Sequence, residues 1–183
     1  MTPVHTSHVS RNRPFCSVLF LPKSKRPNLS QKGLNFNVVL VGDGEGRKDL
    51  EQMVVKLGLS NVWFYGASYD EEQNAELIYN SDFCVSPGNV GLTAIHCLTF
   101  GTPVLTHNDF PYQGPEFEAI EDGKTGAFFE RNSESSLAIA IENLNRIMSE
   151  CGRDTIRRNC YDKIDKEWNP NYQIRVFKEV LNS

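Results

Sequence analysis

Short apolar runs and helical segments alternate along the chain, and this alternation constrains the fold more than any other feature. The apolar runs are four to six residues long and are apolar at successive positions, not at every second one. Such strands are buried on both faces, which is typical of parallel sheets covered by helices on both sides. The sequence therefore predicts an α/β fold with a doubly wound parallel sheet of about six strands and extra C-terminal helices. The predicted strands are 16–21, 36–41, 62–65, 83–85, 103–106 and 126–129.

Local signals mark the ends of the predicted helices. Asp70 has the properties of an N-cap, and Gln73 follows it at the capping-box spacing. Ser133 is the predicted N-cap of a later helix whose apolar stripe faces the core. We expect the last helix, over 172–181, to dock through three apolar residues at helical spacing: Ile174, Phe177 and Leu181.

The connection between the first two predicted strands is unusually short. It covers residues 22–35, which include two prolines. A parallel crossover with its helix needs at least about 10–12 residues. The sequence therefore predicts a crossover whose helix is very short or absent.

Length and charge exclude several classes of protein. A chain of 183 residues favours one domain, and we expect a flexible tail at 1–13 followed by a single domain at 14–183. With 19 basic and 23 acidic residues the net charge is −4, which argues against a nucleic-acid partner. No apolar stretch approaches the roughly 20 residues that span a bilayer. Five cysteines without a C-x-x-C pair indicate free thiols, and we expect a cytoplasmic location.

The loop between the fourth strand and the next helix is the strongest candidate for ligand binding. Ligands of open parallel sheets bind beyond the carboxyl ends of the strands. Here Gly88 and Gly91 allow the backbone to approach a ligand closely, and the helix that follows presents its positive end to a phosphate. An ordinary strand-to-helix turn that needs glycine for packing explains the same spacing equally well.

Other polar positions carry weaker signals. Lys23, Lys25 and Arg26 follow the first strand and would neutralise a leaving diphosphate, although a solvated basic loop is the commoner case. Residues 42–46 read G-x-G-x-G, which favours a tight turn over a dinucleotide fingerprint. A lone helical histidine such as His96 is more often a packing or surface residue than a functional one. No histidine pair has metal-ligand spacing, so neither a metal nor a bound cofactor is expected.

Six separated blocks of sequence occur in the order and spacing of one known family. The blocks are 36–44, 62–66, 83–87, 91–92, 100–104 and 121–126. Through them the chain resembles the C-terminal, nucleotide-sugar-binding domain of group 1 (family 4) glycosyltransferases of the GT-B type, over about residues 35–144.

The resemblance implies retaining transfer of a sugar from a nucleoside-diphosphate sugar to an acceptor, without a metal, in polysaccharide biosynthesis. It places Lys23, Lys25 and Arg26 near the diphosphate and Gly66 near the base. The backbone of residues 89–92 would face the donor sugar and its phosphates, and Glu116 resembles a further acidic position. The donor-binding residues implied are Lys23, Lys25, Arg26, Gly66, Gly88, Asn89, Val90, Gly91, Leu92, His96 and Glu116.

The chain departs from the family at two positions. The family carries two glutamates eight positions apart, one touching the donor sugar and the other the ribose. Here those positions hold Gly88, which offers only its backbone, and His96, whose neutral ring can accept a hydroxyl hydrogen bond. Donor recognition is therefore expected to be altered, or activity reduced.

The family's N-terminal acceptor domain, which supplies the catalytic histidine, has no counterpart in these residues. The chain is expected to bind a nucleotide sugar weakly and to need that domain, or a second protein chain as in split N-acetylglucosamine transferases, for turnover. A full enzyme would lie in the cytoplasm or at the inner face of the membrane. The alternatives are a non-catalytic interaction module, a sugar-nucleotide epimerase and a NAD-dependent Rossmann enzyme.

Overall fold

A computed structural model describes residues 17–22 and 36–182 and gives them an α/β architecture. Strands and α-helices alternate from the second strand to the fifth, and three consecutive helices follow the sixth strand. Two short 3-10 helices, Phe110–Tyr112 and Pro115–Ala119, lie between the fifth and sixth strands. The strands are β1 (Ser17–Pro22), β2 (Phe36–Val41), β3 (Val62–Gly66), β4 (Phe83–Ser86), β5 (Val104–His107) and β6 (Gly126–Phe129). The helices are α1 (Arg47–Lys56), α2 (Glu71–Tyr79), α3 (Leu92–Thr99), α4 (Glu134–Cys151), α5 (Arg153–Glu167) and α6 (Pro170–Leu181).

The six strands form one sheet in the order β3-β2-β1-β4-β5-β6. β2 and β3 are parallel, and so are β4, β5 and β6. From β1 the chain adds β2 and β3 on one side of the sheet and then β4, β5 and β6 on the other, as in doubly wound sheets. The predicted fold class is therefore confirmed. The carboxyl ends of β2 to β6 therefore meet at one edge of the sheet.

β1 is the exception to the parallel arrangement. It is antiparallel to both of its neighbours, β2 and β4, and its last residue, Pro22, pairs with Phe36 at the start of β2. A strand followed by so short a connection can pair antiparallel without a crossover helix, which a parallel pair would require. The prediction of a parallel first crossover is therefore wrong. β1 ends at the edge opposite the carboxyl ends of the other strands.

The predicted helix caps are confirmed. The Oδ1 atom of Asp70 accepts the backbone N–H of Gln73 at 3.0 Å, and the Oγ atom of Ser133 accepts that of Ser136 at 3.3 Å. Each bond satisfies one of the first-turn N–H groups that have no partner inside the helix. These two caps set where α2 and α4 begin.

The core lies around β4 and β5, every residue of which is buried. Cys84, Cys97 and Cys160 are buried in it as free thiols, whereas the free Cys151 is exposed. Burial raises the pKa of the Cys160 thiol to about 12, so this group stays protonated and unreactive at neutral pH. Within the described residues, no helix combines the length and apolar character that a bilayer span requires.

The last helix does not dock as its sequence predicts. Ile174, Phe177 and Leu181 are 51%, 66% and 83% exposed, and no residue of α6 is buried by the described part of the chain. Helical spacing shows that a helix has an apolar face, but it does not show which element covers that face. The predicted docking through these three residues is therefore wrong, and α6 instead lies mainly against α5.

Candidate functional site

The loop between β4 and α3 has a shape that depends on Gly91. This residue has φ 45°, a conformation that side chains rarely adopt, and it directly precedes α3. The loop residues Gly88 and Asn89 are exposed, and Leu92 at the start of α3 is 74% exposed. The positive end of α3 therefore lies beside exposed backbone, an arrangement suited to an anionic ligand.

Gln113 holds this loop from the other side. Its side-chain Oε1 accepts the backbone N–H of Val90 at 2.9 Å. Its Nε2 donates to the Thr106 hydroxyl at 2.9 Å and to the His107 carbonyl at 3.1 Å. One amide group thus joins the glycine loop to the end of β5. Sequence reasoning missed Gln113, because no local pattern links it to a loop more than 20 residues earlier.

Glu116 lies close to the same loop. The backbone N–H of Gly114 donates to Asn89 Oδ1 at 3.3 Å. A side-chain carbon at Gly114 would stand 2.5 Å from Glu116 Oε2 and 3.5 Å from Asn89 Oδ1, so the backbone passes between these two side chains. The structure therefore brings the predicted residues Asn89 and Glu116 to one place.

Gly88 faces open space. No described atom lies within 4 Å of the position that a side-chain carbon would take there. Its carbonyl oxygen accepts a hydrogen bond from the Thr106 hydroxyl at 3.4 Å. A side chain at position 88, where the family has a glutamate, would therefore meet no steric obstacle. The backbone conformation of Gly88 is also one that other residues adopt.

His96 lies one turn inside α3 and contacts a carboxylate from another helix. Its Nε2 atom is 3.4 Å from Glu71 Oε2, at the start of α2. Its ring stands 5.4 Å from that of Phe100, which limits how the imidazole can turn. Sequence reasoning gave no role to Glu71, since only the packing of α2 beside α3 brings it to His96.

A buried histidine and an arginine lie at the ends of β5 and β6. His107, which directly follows the predicted strand 103–106, is the last residue of β5 and is 1% exposed. Its Nδ1 accepts the N–H of Asp109 at 3.2 Å, and burial followed by the charge of Arg131 lowers its pKa. Arg131 pairs with Asp109 at 3.0 Å and lies 4.1 Å over the ring of Tyr112. The site therefore combines an imidazole of lowered pKa with a guanidinium that Asp109 and Tyr112 hold in place.

Gly66 lies farther along the same edge. It ends β3 with φ 92°, and its carbonyl accepts the N–H of Gly42 at 2.8 Å. Two strands, β2 and β1, separate β3 from β4 in the sheet. The residues from Gly42 to Gly46 form the turn into α1, as the sequence predicts.

The three predicted basic residues, Lys23, Lys25 and Arg26, lie outside the described residues. The argument that led to them assumed that β1 ends at the ligand edge. In the structure β1 ends beside Phe36, at the opposite edge. Their predicted contact with a diphosphate therefore keeps only the support of the sequence resemblance.

The comparisons with known proteins all identify glycosyltransferases as similar to this chain. The family model described as "Glycosyl transferases group 1" matches residues 23–151. An uncharacterized glycosyltransferase of Methanocaldococcus jannaschii is 28% identical over 142 residues, covering 72% of this chain and 39% of that protein. An alpha-D-kanosaminyltransferase of Streptomyces kanamyceticus is 27% identical over 119 residues, covering 63% of this chain and 30% of that protein.

Solved structures share the fold. The crystal structure of Anabaena HepE in complex with UDP and glucose superimposes with a TM-score of 0.59 at 23% identity, covering 79% of this chain and 40% of that one. The chain therefore spans about two fifths or less of the length of these three proteins.

Proposed function

We propose that this chain, which belongs to the group 1 family of glycosyl transferases, binds the nucleoside-diphosphate sugar from which such an enzyme transfers a sugar. The ligand would lie at the carboxyl edge of the sheet, with its diphosphate at the glycine loop before α3. The observation that carries the proposal is the loop itself, whose exposed backbone lies beside the positive end of a helix. HepE, which has the same fold, was solved with UDP and glucose.

The donor-binding residues of this proposal fall into three groups. The loop residues Gly88 to Gly91 and Leu92 would face the phosphates and the donor sugar. Gly66 would lie by the base, and His96 and Glu116 would supply side-chain hydrogen bonds. Basic residues would neutralise the diphosphate, and only the sequence resemblance points to Lys23, Lys25 and Arg26 for this role, because β1 ends at the opposite edge.

The reaction proposed is transfer with retention of the anomeric configuration, in polysaccharide biosynthesis. The charge that develops on the leaving diphosphate would be stabilised by helix N–H groups and cationic side chains, without a metal. The acceptor and the catalytic group would come from protein outside these residues, since the chain matches only part of its relatives. A second chain or a preceding domain could supply them, in the cytoplasm or at the inner face of the membrane.

Calorimetry with the full 183-residue chain tests this proposal. We expect UDP or GDP to bind, and binding to persist in EDTA. A ligand at one hundred times its Kd stabilises a protein by about 2.7 kcal/mol, so thermal unfolding provides a second readout. Inorganic phosphate at the same concentration serves as the control and should shift the unfolding midpoint less. Absence of binding by both nucleotides at millimolar concentration would contradict the proposal.

A non-catalytic interaction module is the second candidate. Gly88 and His96 stand where the family has glutamates, and this favours a chain that keeps the fold without the transfer reaction. A stable partner that forms the same complex in the presence and absence of nucleotide would support this candidate. Transfer activity on addition of an acceptor domain would exclude it.

A further inference from the structure

We infer that Glu71, held by His96, is the group of this chain that recognises the ribose hydroxyls of the nucleotide. The inference rests on the proposed function and assigns a residue that sequence reasoning did not select. It starts from the contact between His96 Nε2 and Glu71 Oε2, at 3.4 Å, which joins two helices across 25 residues of sequence.

The location of the pair suits a nucleotide bound at the glycine loop. Both α2 and α3 begin at the carboxyl edge of the sheet, because each follows a strand that ends there. His96 lies four residues beyond Leu92, and at about 1.5 Å per residue it stands about 6 Å along the helix from the phosphate-binding end. In a nucleoside diphosphate the ribose follows directly after the phosphates. A diphosphate at the loop therefore brings the sugar ring beside this pair.

The carboxylate of Glu71 is accessible to solvent, whereas the imidazole of His96 is largely covered. The Glu71 side chain is 82% exposed and that of His96 is 26% exposed. The His96 ring is also restrained by Phe100, 5.4 Å away. The histidine thus contacts one carboxylate oxygen from a restrained position. At 82% exposure, most of the Glu71 side chain is open to solvent, where a ligand can reach it.

The chemistry of a carboxylate matches that of ribose. An ionised carboxylate only accepts hydrogen bonds, and the two ribose hydroxyls are donors. Hydrogen bonds to a charged acceptor are shorter and stronger than those between neutral groups. A carboxylate is repelled by nearby phosphates, and the N–H that His96 can present to Glu71 reduces that repulsion. Glu71 can therefore lie near the diphosphate and still bind the ribose hydroxyls, which donate to it, in preference to the phosphates, which do not.

The neighbouring acidic residues of α2 do not share this geometry. The Asp70 carboxylate is occupied as the N-cap, since it accepts the N–H of Gln73 at 3.0 Å. Glu72 lies in the same first turn as Glu71, and its negative charge interacts as favourably with the positive end of the helix dipole. Glu72 is therefore a matched control, because a change there alters the same helix end and the same net charge.

The experiment compares UDP and 2′,3′-dideoxy-UDP on four forms of the full chain by calorimetry. The forms are the wild type, Glu71→Gln, Glu72→Gln and the double variant Glu71→Gln/His96→Glu. We expect Glu71→Gln to weaken the binding of UDP about tenfold and that of the dideoxy nucleotide less than twofold. Glu72→Gln should bind both nucleotides with affinities close to those of the wild type. The double variant returns a carboxylate to the site from α3 and should recover most of the affinity for UDP.

Two results would overturn the inference while leaving the proposed function intact. One is equal weakening of UDP by Glu71→Gln and Glu72→Gln. The other is equal weakening of UDP and the dideoxy nucleotide by Glu71→Gln. If the wild type binds neither UDP nor GDP, the proposed function fails and the inference fails with it. Circular dichroism of the variants shows whether each retains the fold.

Discussion

Gln113 and Val90 are joined by a hydrogen bond of 2.9 Å between the side-chain Oε1 of the first and the backbone N–H of the second. The bond ties the loop before α3 to the connection that follows β5. Because Gln113 also donates to Thr106 and to the carbonyl of His107, its amide cannot turn without losing several bonds. The shape of the proposed phosphate site therefore depends on a residue outside the loop.

Replacement of Gln113 by alanine tests this dependence. The change leaves the buried Val90 N–H without its acceptor, and an unsatisfied buried group costs about 1–3 kcal/mol. We expect urea unfolding to show a loss of about 1–2 kcal/mol and calorimetry to show about tenfold weaker UDP binding. The control is Gln52→Ala on the exposed surface of α1, which should change neither value. Unaltered UDP binding by Gln113→Ala would exclude a role in shaping the site.

Gly126 and Gly46 should respond very differently to replacement by alanine. A side-chain carbon at Gly126 would lie 1.8 Å from the carbonyl oxygen of Val104, whereas at Gly46 it would meet no described atom within 4 Å. Overpacking of this kind costs about 3 kcal/mol, because the β5–β6 pair must move apart. At Gly46 alanine has room and a permitted backbone conformation but is a poorer N-cap than glycine, so we expect the free energy of unfolding to change by less than about 1 kcal/mol. Equal urea midpoints for Gly126→Ala and Gly46→Ala would contradict the packing described.

Gly88→Glu and Gly91→Ala separate the two glycines of the loop. The space beside Gly88 is open to a side chain, whereas Gly91 has φ 45°. We expect the free energy of unfolding of Gly88→Glu to stay within about 0.5 kcal/mol of the wild-type value, as for most surface changes. That of Gly91→Ala should fall by about 1–2 kcal/mol, because alanine is strained at this φ.

The same Gly88→Glu variant also tests where the donor sugar lies. The new carboxylate accepts hydrogen bonds from sugar hydroxyls, so affinity for UDP-glucose should rise relative to UDP. Calorimetry with both ligands gives the ratio. A ratio identical to that of the wild type would place the sugar away from residue 88.

The ion pairs of Glu121 predict how stability responds to acid. Hydrogen bonds from Lys163 and Lys124, at 3.0 Å and 3.2 Å, lower the pKa of the Glu121 carboxyl below its ordinary value of 4.5. A carboxyl with a lowered pKa in the folded state contributes stability above its unfolded pKa and loses it as the pH falls through the folded one. The urea midpoint should therefore fall below about pH 4.5.

A neutral variant identifies the source of that acid sensitivity. Glu121→Gln should make the urea midpoint fall less steeply between pH 5 and pH 3, at the expense of stability at neutral pH. Glu179→Gln, on the exposed α6, should keep the slope of the wild type. Parallel pH profiles for the wild type and Glu121→Gln would show that this cluster is not responsible.

The sequence was sufficient for features that depend on neighbouring residues. The Asp70 and Ser133 caps follow from a side chain and an N–H three residues away, and the strands follow from runs of apolar residues. The direction of β1 could not be predicted in this way, because it depends on pairing with β2 and β4.

The missed site residues share one physical property. Gln113 reaches Val90 across 23 residues, and Glu71 meets His96 across 25. Such contacts arise only when separate elements pack, so the glycine loop was predictable from its own residues and its supports were not. The exposure of α6 is a further case, since amphipathic spacing does not reveal what lies opposite an apolar face.

The weak attachment of α6 has a consequence for the behaviour of the protein in solution. A helix of 12 residues is marginal in water when packing does not support it, and no residue of α6, which lies mainly against α5, is buried by the described part of the chain. Its backbone amides should exchange with deuterium far faster than those of β4 and β5, through opening that leaves the rest of the domain intact. We therefore expect the C-terminal helix to open as a cooperative unit of its own while the sheet stays folded.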